Sequence, residues 1–254
     1  MNLHLPKLVV FDLDGTLTES KQRVSAEMGE ALGHLLNVMP VAVMSGASFG
    51  QFETQFLPAL PPESNLRRLY LFPDNAAQCH VFVNGKWRPQ YDHAFSTEEK
   101  ARIMHAFDES LAEAGVPTPP KVWGERIEDR GAEIAFSALG QEAPLEAKEV
   151  WHRTSEPLRD ALRASLARRL PDFSISEGGL TTVQITRKGI TKAYGIHRLT
   201  ELTGIPVSDM LYVGDALEEG GNDAVVLESG IRTHAVFGPA ETQALIGTLI
   251  HPAR

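Results

Sequence analysis

The segment Leu8-Val9-Val10-Phe11-Asp12-Leu13-Asp14-Gly15-Thr16-Leu17-Thr18 decides how the rest of the chain is read. Its first four residues are an apolar run, rich in β-branched side chains, that stops at a polar Asp-Leu-Asp-Gly turn, the pattern of a buried parallel strand. Within Val24 to Leu36, the apolar positions Met28, Leu32, Leu35 and Leu36 recur at near-helical spacing behind Ser25, a candidate N-cap. Val41-Ala42-Val43-Met44 is a second apolar run, halted by Ser45-Gly46. Strand, helix and strand in this order make a βαβ unit with a right-handed crossover.

Working outward, Leu69 to Phe72 is a third core strand, and the same grammar returns after Gly189. Lys192 to Thr203 reads as a helix, Met210 to Val213 as a strand ending in Gly214-Asp215, and Asn222 to Leu227 as a short helix. Thr233 to Phe237 is a last strand and Glu241 to Ile250 a last helix. The middle follows another pattern. Cys79 to Val83, Asn84-Gly85 and Lys86-Trp87 spell a hairpin with a type I′ turn. A helix from Ser96 to Ala114 follows, then one or two strands in Arg126 to Leu139, an Arg-rich amphipathic helix from Pro157 to Leu170, and strands at Phe173 to Ile175 and Thr181 to Ile185. The expected fold is α/β: a Rossmann-like parallel-sheet core from residues 1–77 and 189–254, carrying an inserted α+β domain over 78–188.

Composition narrows the function. Among 254 residues, 24 Lys+Arg against 33 Asp+Glu give a net charge of −9, the opposite of the basic footprint that nucleic acid selects. Hydrophobic content of 43% with 22% charged residues excludes disorder for the bulk of the chain. The single cysteine, Cys79, rules out an intrachain disulfide and a CxxC zinc site, and fits a reducing compartment. There is no apolar stretch long enough to span a membrane, and Met1 to Phe11 is too short for a signal peptide, so the expectation is a cytoplasmic enzyme without a membrane partner.

In open α/β sheets, ligands bind beyond the carboxyl ends of the strands. Asp12 and Asp14 follow the first strand, Ser45 the second and Asp215 the fourth, which gathers three carboxylates and a hydroxyl at one edge, a donor set suited to a hard cation. Asp12 and Asp14 lie two apart on an extended backbone and so point the same way. Their repulsion, about 4 kcal/mol at about 4 Å and an effective dielectric near 20, would be removed by a divalent ion. Taken alone, the Asp-Gly dipeptide reads equally as an ordinary turn.

Asp12-Leu13-Asp14-Gly15-Thr16, Ser45, Lys192 in Gly189-Ile190-Thr191-Lys192, and Gly214-Asp215 with Gly220-Gly221-Asn222-Asp223 stand in that order. Together they resemble the four signature elements of the haloacid dehalogenase-like (HAD) phosphotransferases. The insertion looks like the α/β cap of the type IIB members. Phe11 to Thr18, Phe72-Pro73 with Asn84-Gly85-Lys86, and Ile127-Glu128-Asp129-Arg130 are most similar to the eukaryotic-type phosphomannomutases and related sugar phosphatases. Departures cluster where a mutase grips a second phosphate: Lys21 and Gln141 stand in place of Arg, and Gln184 in place of Asp. Losing a bidentate Arg is not a conservative change for phosphate recognition.

The resemblance implies a role for each residue. Asp12 would be the nucleophile and Asp14 the general acid and base. Mg²⁺ would be held by Asp12, the backbone carbonyl of Asp14 and Asp215, with Asp223 binding or supporting it. Ser45 and Lys192 would hold phosphoryl oxygens, Lys192 being preferred to Lys188 by its spacing to the helix start. Gly46, Arg130 and Asn222 would touch the substrate. The implied activity is Mg²⁺-dependent hydrolysis of a small phosphorylated metabolite of the sugar phosphate class. Phosphomannomutase activity is the alternative, and a homodimer the implied assembly. A receiver that merely becomes phosphorylated on Asp12 has no need of an acid at Asp14.

Plainer readings apply elsewhere. Ser45 could cap the following helix, and Arg126 could be a surface ion-pair partner. Arg159, Arg163, Arg168 and Arg169 read as the solvated face of a helix, Trp123 and Trp151 as packing residues, and the nine histidines show no metal-ligand spacing.

Overall fold

A computed structural model describes residues 5–19, 22–177, 180–218 and 221–251. In chain order the elements are β1 (Leu8–Phe11), α1 (Ala26–Val38), β2 (Val41–Met44), a one-turn α2 (Phe49–Gln51), β3 (Leu69–Phe72), β4 (Gln78–Val83), β5 (Lys86–Asp92) and α3 (Thr97–Glu113). Then come β6 (Ile127–Asp129), β7 (Glu133–Ser137), α4 (Leu145–Arg169), β8 (Phe173–Glu177), β9 (Thr182–Arg187), α5 (Lys192–Thr203), β10 (Met210–Gly214), β11 (Arg232–Ala235) and α6 (Pro239–Ile250). They fall into two compact units, one of residues up to Asp92 together with those from Ile190 onward, the other of His93–Gly189.

The first unit is a seven-stranded sheet in the order β11-β10-β1-β2-β3-β4-β5, parallel from β11 to β3 and antiparallel across β4 and β5. Alternation with period two sorts its side chains. Val9, Phe11, Val41, Val43, Leu69, Leu71 and Val213 face one layer, where α1 and α6 contribute Met28, Leu32, Leu35, Leu36, Ile246 and Leu249. Leu8, Val10, Ala42, Met44, Phe72, Met210 and Tyr212 face the other, against Ile196 and Leu199 of α5. Both faces of the central strands are therefore dry, as in doubly wound sheets. Ser25 caps α1 as expected, its Oγ accepting from Met28 N at 3.2 Å.

Several expectations are corrected. The hairpin assigned to the insertion belongs to the large sheet: β4 pairs with β3, and Cys79 is buried in the layer beneath it. The boundary expected at residue 78 therefore moves to the end of β5. The Arg-rich helix does not begin at Pro157. α4 starts at Leu145 and runs through that proline, whose missing N–H removes one rung of the helix. Arg159 is not on a solvated face, since it is 5% exposed and meets Glu177 at 2.9 Å. The short helix expected at Asn222 to Leu227 is a 3₁₀ segment, Ala224–Ser229.

The second unit is a four-stranded antiparallel sheet, β6-β7-β9-β8. Ile134 and Phe136 of β7 and Val183 and Ile185 of β9 pack on Ile103 and Phe107 of α3 and Leu162 and Leu166 of α4. Ser96 opens α3 with a capping box, accepting from Glu99 N while Glu99 accepts from Ser96 N. Lys21 and Gly220 lie outside the described residues. No described helix is long and apolar enough to cross a membrane.

Candidate active site

The site begins where β1 ends. Asp12 N still donates to Val213 O at 2.9 Å, prolonging the β1–β10 ladder by one residue. The chain then turns. Leu13 O accepts from Leu17 N at 2.9 Å and Thr18 N at 3.1 Å, Gly15 takes φ +83°, and buried Leu13 and Leu17 anchor the loop. A side chain at Gly15 would begin 2.3 Å from Asp215 Oδ2, so glycine is required for both its conformation and its space. Gly214 is similarly restricted, since a Cβ there would stand 2.3 Å from Asp223 Oδ2.

Asp12, Asp215 and Asp223 each bring a carboxylate oxygen within 4.8 Å of the other two. Asp14 adds no carboxylate to this group. Its side chain is half-buried and its backbone bridges to Thr18. The crowding expected between Asp12 and Asp14 is thus a crowding of Asp12 with Asp215 and Asp223.

Lys192, at the first helical position of α5, is 1% exposed, and Thr191 caps that helix. Its Nζ donates to Asp12 Oδ1 and Asp223 Oδ1, both at 2.6 Å, and to Tyr212 Oη at 3.3 Å. Three donors meet three protein acceptors, so the ammonium pins two carboxylates, and any phosphoryl contact requires it to release one partner. Tyr212 donates to Asp223 Oδ1 at 2.7 Å, and Thr16 Oγ1 donates to Asp215 Oδ1 at 3.3 Å. Lys188, the competing lysine, is exposed.

The electrostatics follow from this packing. Burial, reinforced by Asp223 and Asp215, pushes Asp12 up to about 7 against the pull of Lys192. Burial works against the Lys192 ammonium too, yet Tyr212, Asp12 and Asp223 hold it well above the ordinary lysine range. Asp215 is raised by partial burial and by Asp223. Three carboxylates against one ammonium leave two surplus negative charges when all are ionised. Among the described residues, buried Asp12 Oδ2 and Asp223 Oδ2 have no hydrogen-bond partner. Two orphaned anionic oxygens beside a third carboxylate fit a hard divalent cation such as Mg²⁺.

Ser45 is buried at the end of β2, its Oγ accepting from Ala47 N at 3.0 Å. It does not cap the next helix, a task that falls to Ser48. Its hydroxyl proton is therefore free to reach a ligand. Gly46 follows it, and Asn222 is exposed between Gly221 and buried Asp223. Arg130, in the second unit, is bound on two sides: its Nε and one terminal nitrogen donate to Glu128 at 2.9 and 2.7 Å, and the other terminal nitrogen donates to Glu133 at 2.7 Å. Gln184 also donates to Glu133, at 3.1 Å.

Sequence reading missed Tyr212 and Thr16. Tyr212 shares the even face of β10 with α5, so strand alternation placed it on the side from which Lys192 reaches in. Thr16 gave no signal beyond its place in the Asp-Gly turn.

A model of the haloacid dehalogenase-like hydrolases matches residues 141–229. A phosphomannomutase of Nicotiana benthamiana is 26% identical over 245 residues, covering 92% of this chain and 90% of its own. Among solved structures, N-terminally truncated IMP-nucleotidase of Plasmodium falciparum with IMP bound superposes with a TM-score of 0.63 at 14% identity, over 97% of this chain and 68% of that one. Trehalose-6-phosphate phosphatase of Aspergillus fumigatus gives 0.59 at 15% identity, over 97% and 93%. The chain has the fold of the haloacid dehalogenase-like hydrolases.

Proposed function

We propose that this protein is a Mg²⁺-dependent phosphohydrolase that cleaves monophosphate esters of small metabolites, sugar phosphates foremost. The observation that carries this reading is the convergence of Asp12, Asp215 and Asp223 around orphaned oxygens, with Lys192 fixing Asp12. In this reading Asp12 attacks phosphorus while the ester P–O bond breaks, and Asp14 gives the departing oxygen its proton. Water then attacks the phosphorus of the aspartyl phosphate, passing a proton back to Asp14 and releasing inorganic phosphate. Ser45, whose hydroxyl proton is uncommitted, steadies a phosphoryl oxygen. The ammonium of Lys192 locks the Asp12 carboxylate in one orientation, so no rotamer search precedes attack. Asp12, Asp215 and Asp223 would hold a Mg²⁺ ion, which when bound would supply charge neutralisation for the incoming phosphate.

Phosphomannomutase activity is the second reading, favoured by the 26% identical relative that bears that name. Gln141 weighs against it. A mutase must hold a second phosphate with cations, and Gln141 stands where the mutases carry an Arg, its neutral carboxamide donating to Ala135 O at 3.1 Å. Phosphate release from a panel of sugar monophosphates, with Mg²⁺ and with a chelator, tests the hydrolase. Conversion of mannose 1-phosphate to the 6-phosphate, with a bisphosphate activator and without phosphate release, would establish the mutase instead.

A further inference from the structure

Three consecutive residues after β3 adopt left-handed backbone, and none is glycine: Asp74 at φ 51°, Asn75 at 54° and Ala76 at 69°. Such conformations are disfavoured for side chains with a Cβ, Asn being the most tolerant. The turn is held by its surroundings. Asp74 N donates to Ala47 O at 3.0 Å, Asn75 N to Ser45 O at 2.8 Å, and Tyr91 Oη to Ala76 O at 3.0 Å. Asp74 and Ala76 are buried, and Ala76 Cβ stands 2.6 Å from where a side chain on Gly195 would begin, so α5 seats the turn too.

Between two buried neighbours, Asn75 is the residue turned outward. Its carboxamide lies over Gly46, with Nδ2 3.3 Å from where a Cβ at that position would stand. It is half-buried and forms no side-chain hydrogen bond among the described residues. Met44 and Phe72 are paired across β2 and β3, and Phe11 and Val43 across β1 and β2, so the loops carrying Asp12, Ser45 and Asn75 leave the sheet side by side. Adjacent strands are about 4.8 Å apart, which puts the Ser45-Gly46 loop one strand from Asp12.

We propose that Asn75 is a phosphoryl-binding residue, its carboxamide N–H donating, alongside the Ser45 hydroxyl, to a non-bridging oxygen of the substrate. The strained turn then has a purpose: it fixes a donor over Gly46 that an ordinary turn would bury or release. This assignment rests on the phosphohydrolase reading above.

Asn75→Gly removes the carboxamide and accepts left-handed backbone without penalty. Asn75→Asp keeps the shape and puts a carboxylate against the phosphoryl group. With Mg²⁺ saturating, kcat/KM for p-nitrophenyl phosphate falls about tenfold or more in Asn75→Gly, the scale of a hydrogen bond to a charged group. Inhibition by inorganic phosphate weakens in parallel, and the melting temperature does not fall. Asn75→Asp is more impaired than Asn75→Gly. Wild-type constants in Asn75→Gly, or an Asn75→Asp that equals or exceeds it, would show that Asn75 only shapes the turn and would overturn the proposal. Should wild-type protein hydrolyse no phosphate ester, the reaction assignment fails, while calorimetry with inorganic phosphate and Mg²⁺ still decides Asn75: unchanged affinity in Asn75→Gly refutes its role.

Discussion

Lys192 is the residue on which the site's electrostatics turn. It occupies a buried position between Asp12 and Asp223, and breaking such a pair from one side leaves charge uncompensated. Lys192→Met is therefore expected to lower unfolding free energy by about 3–5 kcal/mol in urea titrations and to abolish turnover. Glu133 offers the opposite case. Burial raises its carboxyl above the ordinary value of 4.5, outweighing Arg130. Above 4.5 the folded state holds a proton that the unfolded state has lost, so this group's contribution to stability falls as pH rises through that value toward the raised folded one. Denaturation between pH 4 and 7 should thus show wild type losing stability relative to Glu133→Gln as pH rises, and a relative gain would contradict it. Asp12 and Lys192 were legible in the sequence, because each adjoins an element with a clear apolar pattern, whereas Asp14 was expected in the same cluster and its carboxylate is not part of it. Tyr212, Thr16 and Asn75 were not legible: each is one polar residue inside an apolar run or a turn, and only the fold shows which neighbour it meets.

At the scale of elements, the alternating apolar runs made the parallel strands and α5 readable. Where two signals competed, the local one misled. Pro157 resembles a helix start because proline suits the first turn, yet α4 passes through it. The packing of Leu162 and Leu166 on the second unit's sheet outweighs a lost hydrogen bond. Pro157→Ala is expected to raise stability by up to about 3 kcal/mol, measured as a shift in the urea midpoint. Arg159 misled in the same way: helical periodicity placed it outside, whereas the Leu180 carbonyl and Glu177 draw it in at 3.3 and 2.9 Å. The hairpin of β4 and β5 was recognised from Asn84-Gly85, but nothing local tells a hairpin which sheet it will extend.

For the whole molecule, the division into two units with separate cores means that cation binding should be felt unevenly. Hydrogen exchange with Mg²⁺ alone should slow the amides of β1, β10 and the first turn of α5, leaving those of α3 and α4 unchanged. Equal protection in both units would contradict a site confined to Asp12, Asp215 and Asp223. The net charge of −9 acquires a local meaning here: these carboxylates concentrate part of that acidity at one site, where, on the phosphohydrolase reading, an anionic substrate would need a cation to enter. The central claim is that Asp12 performs metal-dependent phosphoryl transfer, and phosphate release by wild type and Asp12→Asn, each with Mg²⁺ and with a chelator, tests it most directly. Release by wild type with Mg²⁺ alone, and a loss of at least about a thousandfold in Asp12→Asn with its fold intact, is the expected result. Near-native release by Asp12→Asn would contradict it.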